Sequence, residues 1–200
     1  MKLADPDTIS GDNLNRIRAG FQNVGNSKVI AVARQVYEIN PYAEIEIYPE
    51  GITEENADQI FADADVMVEE MDNLSLKIKI RELARKNKIP VVMVTGNSEN
   101  VIIDVERFDL NPKLPLMSGY LKKEVIDGIN YGPKSFEEKM KLTRDFMGVK
   151  YLHPRLVSSF KLVGKNLAGI PQIAESSFLR GAAICYFVRQ IAQGNKIQSG

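Results

Sequence analysis

Pro90 to Gly96 reads PVVMVTG, an unbroken apolar stretch rich in β-branched residues. A strand with one face in water alternates apolar and polar side chains, so an unbroken run predicts a strand buried on both faces, as in sheets covered by helices on either side. The segments before it fit such a sheet. Met1 to Ala4 forms the end of a short strand, because it runs straight into the turn formers Asp5, Pro6 and Asp7 and then Ser10-Gly11-Asp12. From Ser27 to Ile39 the residues Val29, Ile30, Val32, Ala33, Val36 and Ile39 recur at helical spacing, with Ser27 as N-cap and Asn40-Pro41 as the stop. Ala43 to Glu50 alternates Ile45 and Ile47 with Glu44 and Glu46, the period of a strand near a sheet edge.

The alternation continues. ENADQIFADA predicts a short helix after a Thr53 cap, and Val66 to Asn73 begins as a buried strand and ends in acids and an Asp-Asn pair. Within Ser75 to Lys88 the piece LKIKI has strand period, but Leu76, Ile80, Leu83 and Ala84 share a helical face, and the basic tail suits a helix C-terminus. Strands alternating with helices over about a hundred residues predict an open parallel α/β sheet with right-handed crossovers. Ligands of such sheets bind beyond the carboxyl ends of the strands, where Asp5/Asp7 and Glu69/Glu70/Asp72 fall.

After Gly96 the pattern loosens into one more strand, Val101 to Val105, and a proline-punctuated loop. A charged amphipathic helix in KSFEEKMKLTRDFMG and a more apolar one in SSFLRGAAICYFVRQIAQG follow. The expected organisation is a nucleotide-binding domain over residues 1–125 and a helical extension over 126–200 packed on it.

Lys plus Arg equals Asp plus Glu, 26 each, so bulk charge favours neither nucleic acid nor an anionic membrane. Cys185 is the one cysteine, which excludes an internal disulfide and a cysteine-based zinc site and makes the cytoplasm the default compartment. Its apolar neighbours Ala182, Ala183, Ile184 and Tyr186 predict a buried structural thiol. His153, the one histidine, has no carboxylate or hydroxyl partner at a recognisable spacing and is expected in a loop or surface role.

The order of landmarks is more specific than any one of them. A strand ends in Asp5; Asn13-Leu14-Asn15-Arg16 follows, then Gly25 and Lys28 opening a helix, Asn40-Pro41, and a strand ending in Asp72-Asn73. Over about Lys2 to Leu121 this resembles the ThiF/MoeB family of adenylyltransferases, relatives of the ubiquitin-activating enzymes. The resemblance implies a Rossmann-like α/β fold: an open, mostly parallel sheet with flanking helices, its first strand missing from these residues, and a helical C-terminal extension. It implies transfer of AMP from ATP to the C-terminal carboxylate of a ubiquitin-like or sulfur-carrier protein, by a homodimer; from the charge balance, no nucleic-acid or membrane partner is expected.

By the same resemblance Asp5 would bind the ribose hydroxyls, and Asn13 and Arg16 the phosphate oxygens. Lys28 would neutralise phosphate charge during attack, and Asp72 would hold Mg²⁺; no zinc is implied. The family's glycine-rich phosphate loop has no counterpart, since no GxGxxG occurs in the chain. That loop and the first strand would lie upstream of Met1, so Met1 is expected to be an internal start in a longer reading frame. Ile17 stands where the family carries Gln, Lys77 holds the position of its usual arginine, and the thioester cysteine is missing, so chemistry would stop at the adenylate. The alternative is a catalytically inactive ThiF-like module for interaction or dimerisation.

Overall fold

A computed structural model describes residues 1–167 and 169–197, and divides the chain into two compact units, Met1–Asp63 and Ala64–Gly200. In the first unit β1 (Lys2–Ala4) and β2 (Glu46–Tyr48) pair in parallel, Leu3 opposite Ile47. α1 (Lys28–Ile39) connects them and packs on both strands, burying Val29 and Ala33 on one face as the helical spacing requires. Ser27 occupies the expected N-cap position of α1 without a side-chain bond. α2 (Ala57–Phe61) starts after Asn56 rather than after Thr53. The two residues instead bind each other: Asn56 N–H donates to Thr53 Oγ1 at 3.3 Å, and Thr53 N–H donates to Asn56 Oδ1 at 2.8 Å. Lys2 Nζ donates to the Gln59 and Ala62 carbonyls at 2.7 and 2.6 Å, placing a cation at the C-terminal end of α2.

The second unit is built on a sheet of order β3-β4-β5. β3 (Met67–Val68) runs parallel to β4 (Val91–Asn97), and β5 (Asn100–Glu106) returns antiparallel through a two-residue turn with Ser98 at φ +58°. The fold class is therefore α/β, as expected, with one parallel sheet and one mixed sheet, and PVVMVTG forms the central strand of the mixed one. Met93 faces α3 (Leu74–Lys86), α4 (Lys123–Tyr131) and α5 (Phe136–Met147), packing with Ile78, Ile129, Leu142 and Phe146. Val92, Val94 and Val105 pack on the opposite face against Ala183, Ile184, Phe187 and Ile191 of α7 (Ala174–Ala192). Cover on both faces explains the absence of polar alternation.

α6 (Pro154–Phe160) begins at His153, whose Nδ1 accepts the Arg155 N–H at 3.3 Å. Asn97 anchors this start by donating to the Tyr151 carbonyl at 2.6 Å and accepting the His153 N–H at 2.9 Å. Cys185 corrects the expectation of a buried thiol: it is exposed. α7 is apolar on both sides, and the side carrying Cys185 points away from the sheet that buries Ala183, Ile184 and Phe187. Among the described residues no helix is long and apolar enough to cross a membrane.

Beneath β4 lies a buried ionic cluster. Arg81 of α3 is fully buried, with Nη1 2.6 Å from Glu69 Oε2 and Nε 2.6 Å from Glu106 Oε2. One turn earlier, Lys77 Nζ lies 2.7 Å from Glu69 Oε1. Glu106 Oε1 accepts the Met117 N–H at 2.6 Å, and Asp104 Oδ1 accepts the Ser118 hydroxyl at 2.9 Å. These two bonds hold Met117 and Ser118 in left-handed backbone, φ +53° and +50°, which costs non-glycine residues about 1–3 kcal/mol each.

Lys77 and Arg81 face Glu69, Asp104 and Glu106, two cations against three acids. Burial opposes ionisation of Glu69, but Lys77 and Arg81 outweigh it and hold that carboxyl below its usual range. Burial pushes Asp104 up, and pushes Glu106 up to about 7. At Glu106, folded chains therefore keep a proton that unfolded chains release, so the contribution of this group to stability is complete below pH 4.5 and is lost as pH rises through about 7. Asp104 Oδ2 is buried without a hydrogen-bond partner among the described residues. Asp104→Asn removes the surplus charge at that atom. It is expected to raise stability at pH 8 by about 1 kcal/mol and to flatten the decline between pH 5 and 8, measured by urea unfolding.

Candidate functional site

In the first unit the segment after β1 folds back on the start of α1. The Ile9 N–H donates to the Asn26 carbonyl at 2.8 Å, the Gly25 N–H to the Ile9 carbonyl at 2.8 Å, and the Lys28 N–H to the Asp7 carbonyl at 3.0 Å. Gly25 adopts φ +89°, a conformation that favours glycine, and this allows the chain to turn into Ser27 and Lys28. The turn brings Lys28 Nζ to 2.7 Å from Asp7 Oδ2 and 3.9 Å from Asp5 Oδ2. Asp5 Oδ1 accepts the Asp7 N–H at 2.9 Å, so this carboxylate also shapes the turn while its second oxygen faces the lysine.

Asn13 and Arg16 are arranged around Asp12. Asn13 is buried, its Oδ1 accepts the Ser10 N–H at 3.2 Å, and its Nδ2 is 3.5 Å from Asp12 Oδ2. Arg16 Nη1 donates to the Asp12 carbonyl at 2.7 Å and to Asn15 Oδ1 at 3.0 Å. Ser10 Oγ donates to Asp12 Oδ1 at 2.5 Å, and this bond, with the fields of Arg16 and Lys28, holds the Asp12 carboxyl below its usual range. Asp12 was not singled out in the sequence; as one more acid in a polar turn it carries no distinctive spacing.

Asp5, Asp7 and Asp12 against Arg16 and Lys28 leave this patch with one net negative charge. Such a patch suits neutral hydroxyl donors such as ribose and gives no net pull on a polyphosphate. Phosphate binding here would require Lys28 to exchange Asp7 for phosphate oxygens, with further neutralisation from a cation.

Of the acids ending β3 in the second unit, Glu69 is consumed by Lys77 and Arg81. Glu70 accepts the Val94 N–H at 2.9 Å and pairs with Arg180 at 3.2 Å, and burial raises its carboxyl above its usual range. Asp72 remains exposed, just before α3. Asn73 caps that helix by accepting the Leu76 N–H at 3.0 Å. Among the described residues no group of three or more His, Cys, Asp or Glu side chains is placed to hold a metal ion. A lone exposed carboxylate fits Mg²⁺, which is held by one or two carboxylates together with substrate phosphates, better than an ion needing a complete protein cage. Lys77 is buried and paired with Glu69.

A groove of about 630 Å³ between α5 and α6 is floored by Met140, Val157 and Phe160 and rimmed by Lys141, Lys161 and Lys165; none of the residues expected to bind nucleotide or magnesium lines it. Asn73→Ala should destabilise the chain by about 1 kcal/mol in urea unfolding, while Asp72→Asn, which alters an exposed side chain, should leave the unfolding midpoint unchanged.

Comparison with known proteins places these landmarks in a wider set. The family model described as "ThiF family" matches residues 1–100. The chain is 31% identical over all 200 residues to uncharacterized protein MT1398 of Mycobacterium tuberculosis, covering 27% of that protein. It is 35% identical over 99 residues, 47% of its length, to tRNA threonylcarbamoyladenosine dehydratase 1 of Saccharomyces cerevisiae, covering 23% of that enzyme. With the adenylyltransferase and sulfurtransferase UBA4 of Meyerozyma guilliermondii it shares 28% identity over 111 residues, 55% of the chain and 26% of the relative. The chain thus spans about a quarter of the length of these relatives. Among solved structures, E. coli MccB with MccA-N7isoASN matches at TM-score 0.61 and 16% identity, over 95% of this chain and 48% of that one, a likeness of fold.

Proposed function

Because this chain belongs to the ThiF family, whose domain matches residues 1–100, we propose that it supplies part of an ATP-dependent adenylation site acting on the C-terminal carboxylate of a ubiquitin-like or sulfur-carrier protein. The observation that carries the reading is the Lys28 ammonium held 2.7 Å from Asp7 and 3.9 Å from Asp5, at the carboxyl end of a parallel strand. The similarity to an adenylyltransferase and sulfurtransferase supports it.

In the reaction a carrier carboxylate oxygen bonds to the α-phosphorus of ATP as the bond to the bridging oxygen of pyrophosphate breaks, giving an acyl adenylate and pyrophosphate. Asp5 accepts hydrogen bonds from the ribose hydroxyls. Lys28 leaves Asp7 for the phosphate oxygens and stabilises their growing charge. Asn13 and Arg16 hold the remaining phosphate oxygens from the turn that Asp12 organises. Asp72 would hold Mg²⁺, a cation that would offset phosphate charge. With equal numbers of acidic and basic residues, a carrier protein fits better than a tRNA substrate, whose binding rests on phosphate neutralisation. A homodimer in the cytoplasm completes this reading.

The second reading, a ThiF-like interaction module without catalysis, is favoured by one observation: no GxGxxG occurs in these 200 residues. ATP–pyrophosphate exchange with a carrier ending in a free carboxylate separates the two. Exchange is expected to require carrier and Mg²⁺, and Lys28→Ala is expected to lower it about 100-fold. No exchange above background, together with no ATP binding by calorimetry, leaves the non-catalytic module.

A further inference from the structure

We propose that the groove between α5 and α6 binds a single-chain amphiphile with a phosphate monoester head, its apolar tail on the groove floor and its head among the rim lysines. The cavity of about 630 Å³ lies within the roughly 300–1,000 Å³ of small-molecule sites, which form between helices with an apolar lining and few polar groups. At about 30 Å³ for each water-sized group it has room for about 20 non-hydrogen atoms. Met140, Val157 and Phe160 form the floor and pack with Leu152 and Leu156. The Phe136 ring lies against Gly164, where a β-carbon would come within 3.1 Å of it, so the start of α5 meets the turn after α6. None of these residues is used in the proposed adenylation.

Charge decides the head. The whole chain balances 26 acids with 26 Lys plus Arg, yet this one groove carries four cations and one acid. Arg144 is offset by Asp145 at 3.1 Å. Lys141, Lys161 and Lys165 are exposed and form no ion pair among the described residues, even with Glu137 on the same rim. Three lysines less one glutamate leave a surplus of two positive charges, which a phosphate monoester, at about −1.5 to −2 near neutral pH, balances. A carboxylate would leave half of that surplus uncompensated. Lysine also suits phosphate, as a mobile point charge that needs no planar partner. An extended peptide is the poorer fit, because the walls are helices, whose main-chain groups bond within themselves and offer no edge to a passing chain.

Calorimetry of the 200-residue chain with decyl phosphate, below the concentration at which it forms micelles, tests this. Saturable binding of one molecule per chain is expected, with decanoate, decanol and inorganic phosphate each at least about tenfold weaker. Lys161→Gln combined with Lys165→Gln alters exposed side chains and should leave the unfolding midpoint in place. That variant should bind decyl phosphate about tenfold more weakly and leave the weaker binding of decanol unchanged. Added salt should act in the same way, weakening the phosphate and sparing the alcohol. No saturable binding of decyl phosphate, decanol or decanoate bound as tightly as the phosphate, or a lysine variant that binds as the native chain does overturns the proposal. So does binding confined to phosphatidate vesicles, which marks a membrane surface, or to an acidic amphipathic peptide, which marks a protein partner.

Discussion

The second unit depends on Arg81. Its guanidinium is shut off from water and joins the end of β3, through Glu69, to the end of β5, through Glu106, while Lys77 one turn earlier binds the same Glu69. Sheet, helix and the following loop are thereby fixed at one point. Such a cluster adds little net stability over a well-packed apolar replacement, but deleting one partner strands a buried charge and costs about 3–5 kcal/mol. Its effect is on specificity. β3 contributes just two residues, Met67 and Val68, to strand pairing, so main-chain bonds alone hold its register weakly. Glu69, bonded on both oxygens immediately after that strand, locks it.

The same cluster decides which acids are left for chemistry. Three acids follow β3, and all three resemble ligands when read along the chain. The fold spends Glu69 on Lys77 and Arg81 and Glu70 on Arg180 and the Val94 amide, and leaves Asp72 in solvent. The first unit shows the opposite economy: its acids and cations meet at the surface, where Lys28 is paired and still partly exposed. A turn-forming role and a ligand-binding role coexist there in Asp5, which shapes its turn with one oxygen and faces the lysine with the other.

What could be read from the sequence follows the strength of each periodic signal. PVVMVTG and the Ser27–Ile39 spacing each admit one structure, and both form it. Ser75–Lys88 carries two periods, and the helix wins because Asn73 caps it and Ile78, Ile80 and Arg81 all turn inward. α4 and α6 were hidden for local reasons. Gly128 interrupts the first, where its missing side chain lets Leu142 approach, and the second is a seven-residue helix that depends on His153 and Asn97 for its start. Cys185 shows a different limit. A helix apolar on every side has no periodicity to say which side the sheet will cover, so its exposure is legible only after β4 and β5 are in place. The pairing of Lys28 with two acids likewise depends on a chain reversal at Gly25, not on any spacing between the residues themselves.

Lys28 is already neutralised by a neighbour that is itself two-thirds exposed. A ligand anion that takes the lysine thus leaves the Asp7 carboxylate to the solvent that already reaches it, so Lys28 changes its partner while the patch gains the negative charge of the ligand. Binding at such a place resembles ion exchange more than charge recruitment: added salt weakens the internal pair and the external one together, so what selects the incoming anion is its shape and its hydroxyls, with the strength of its charge secondary.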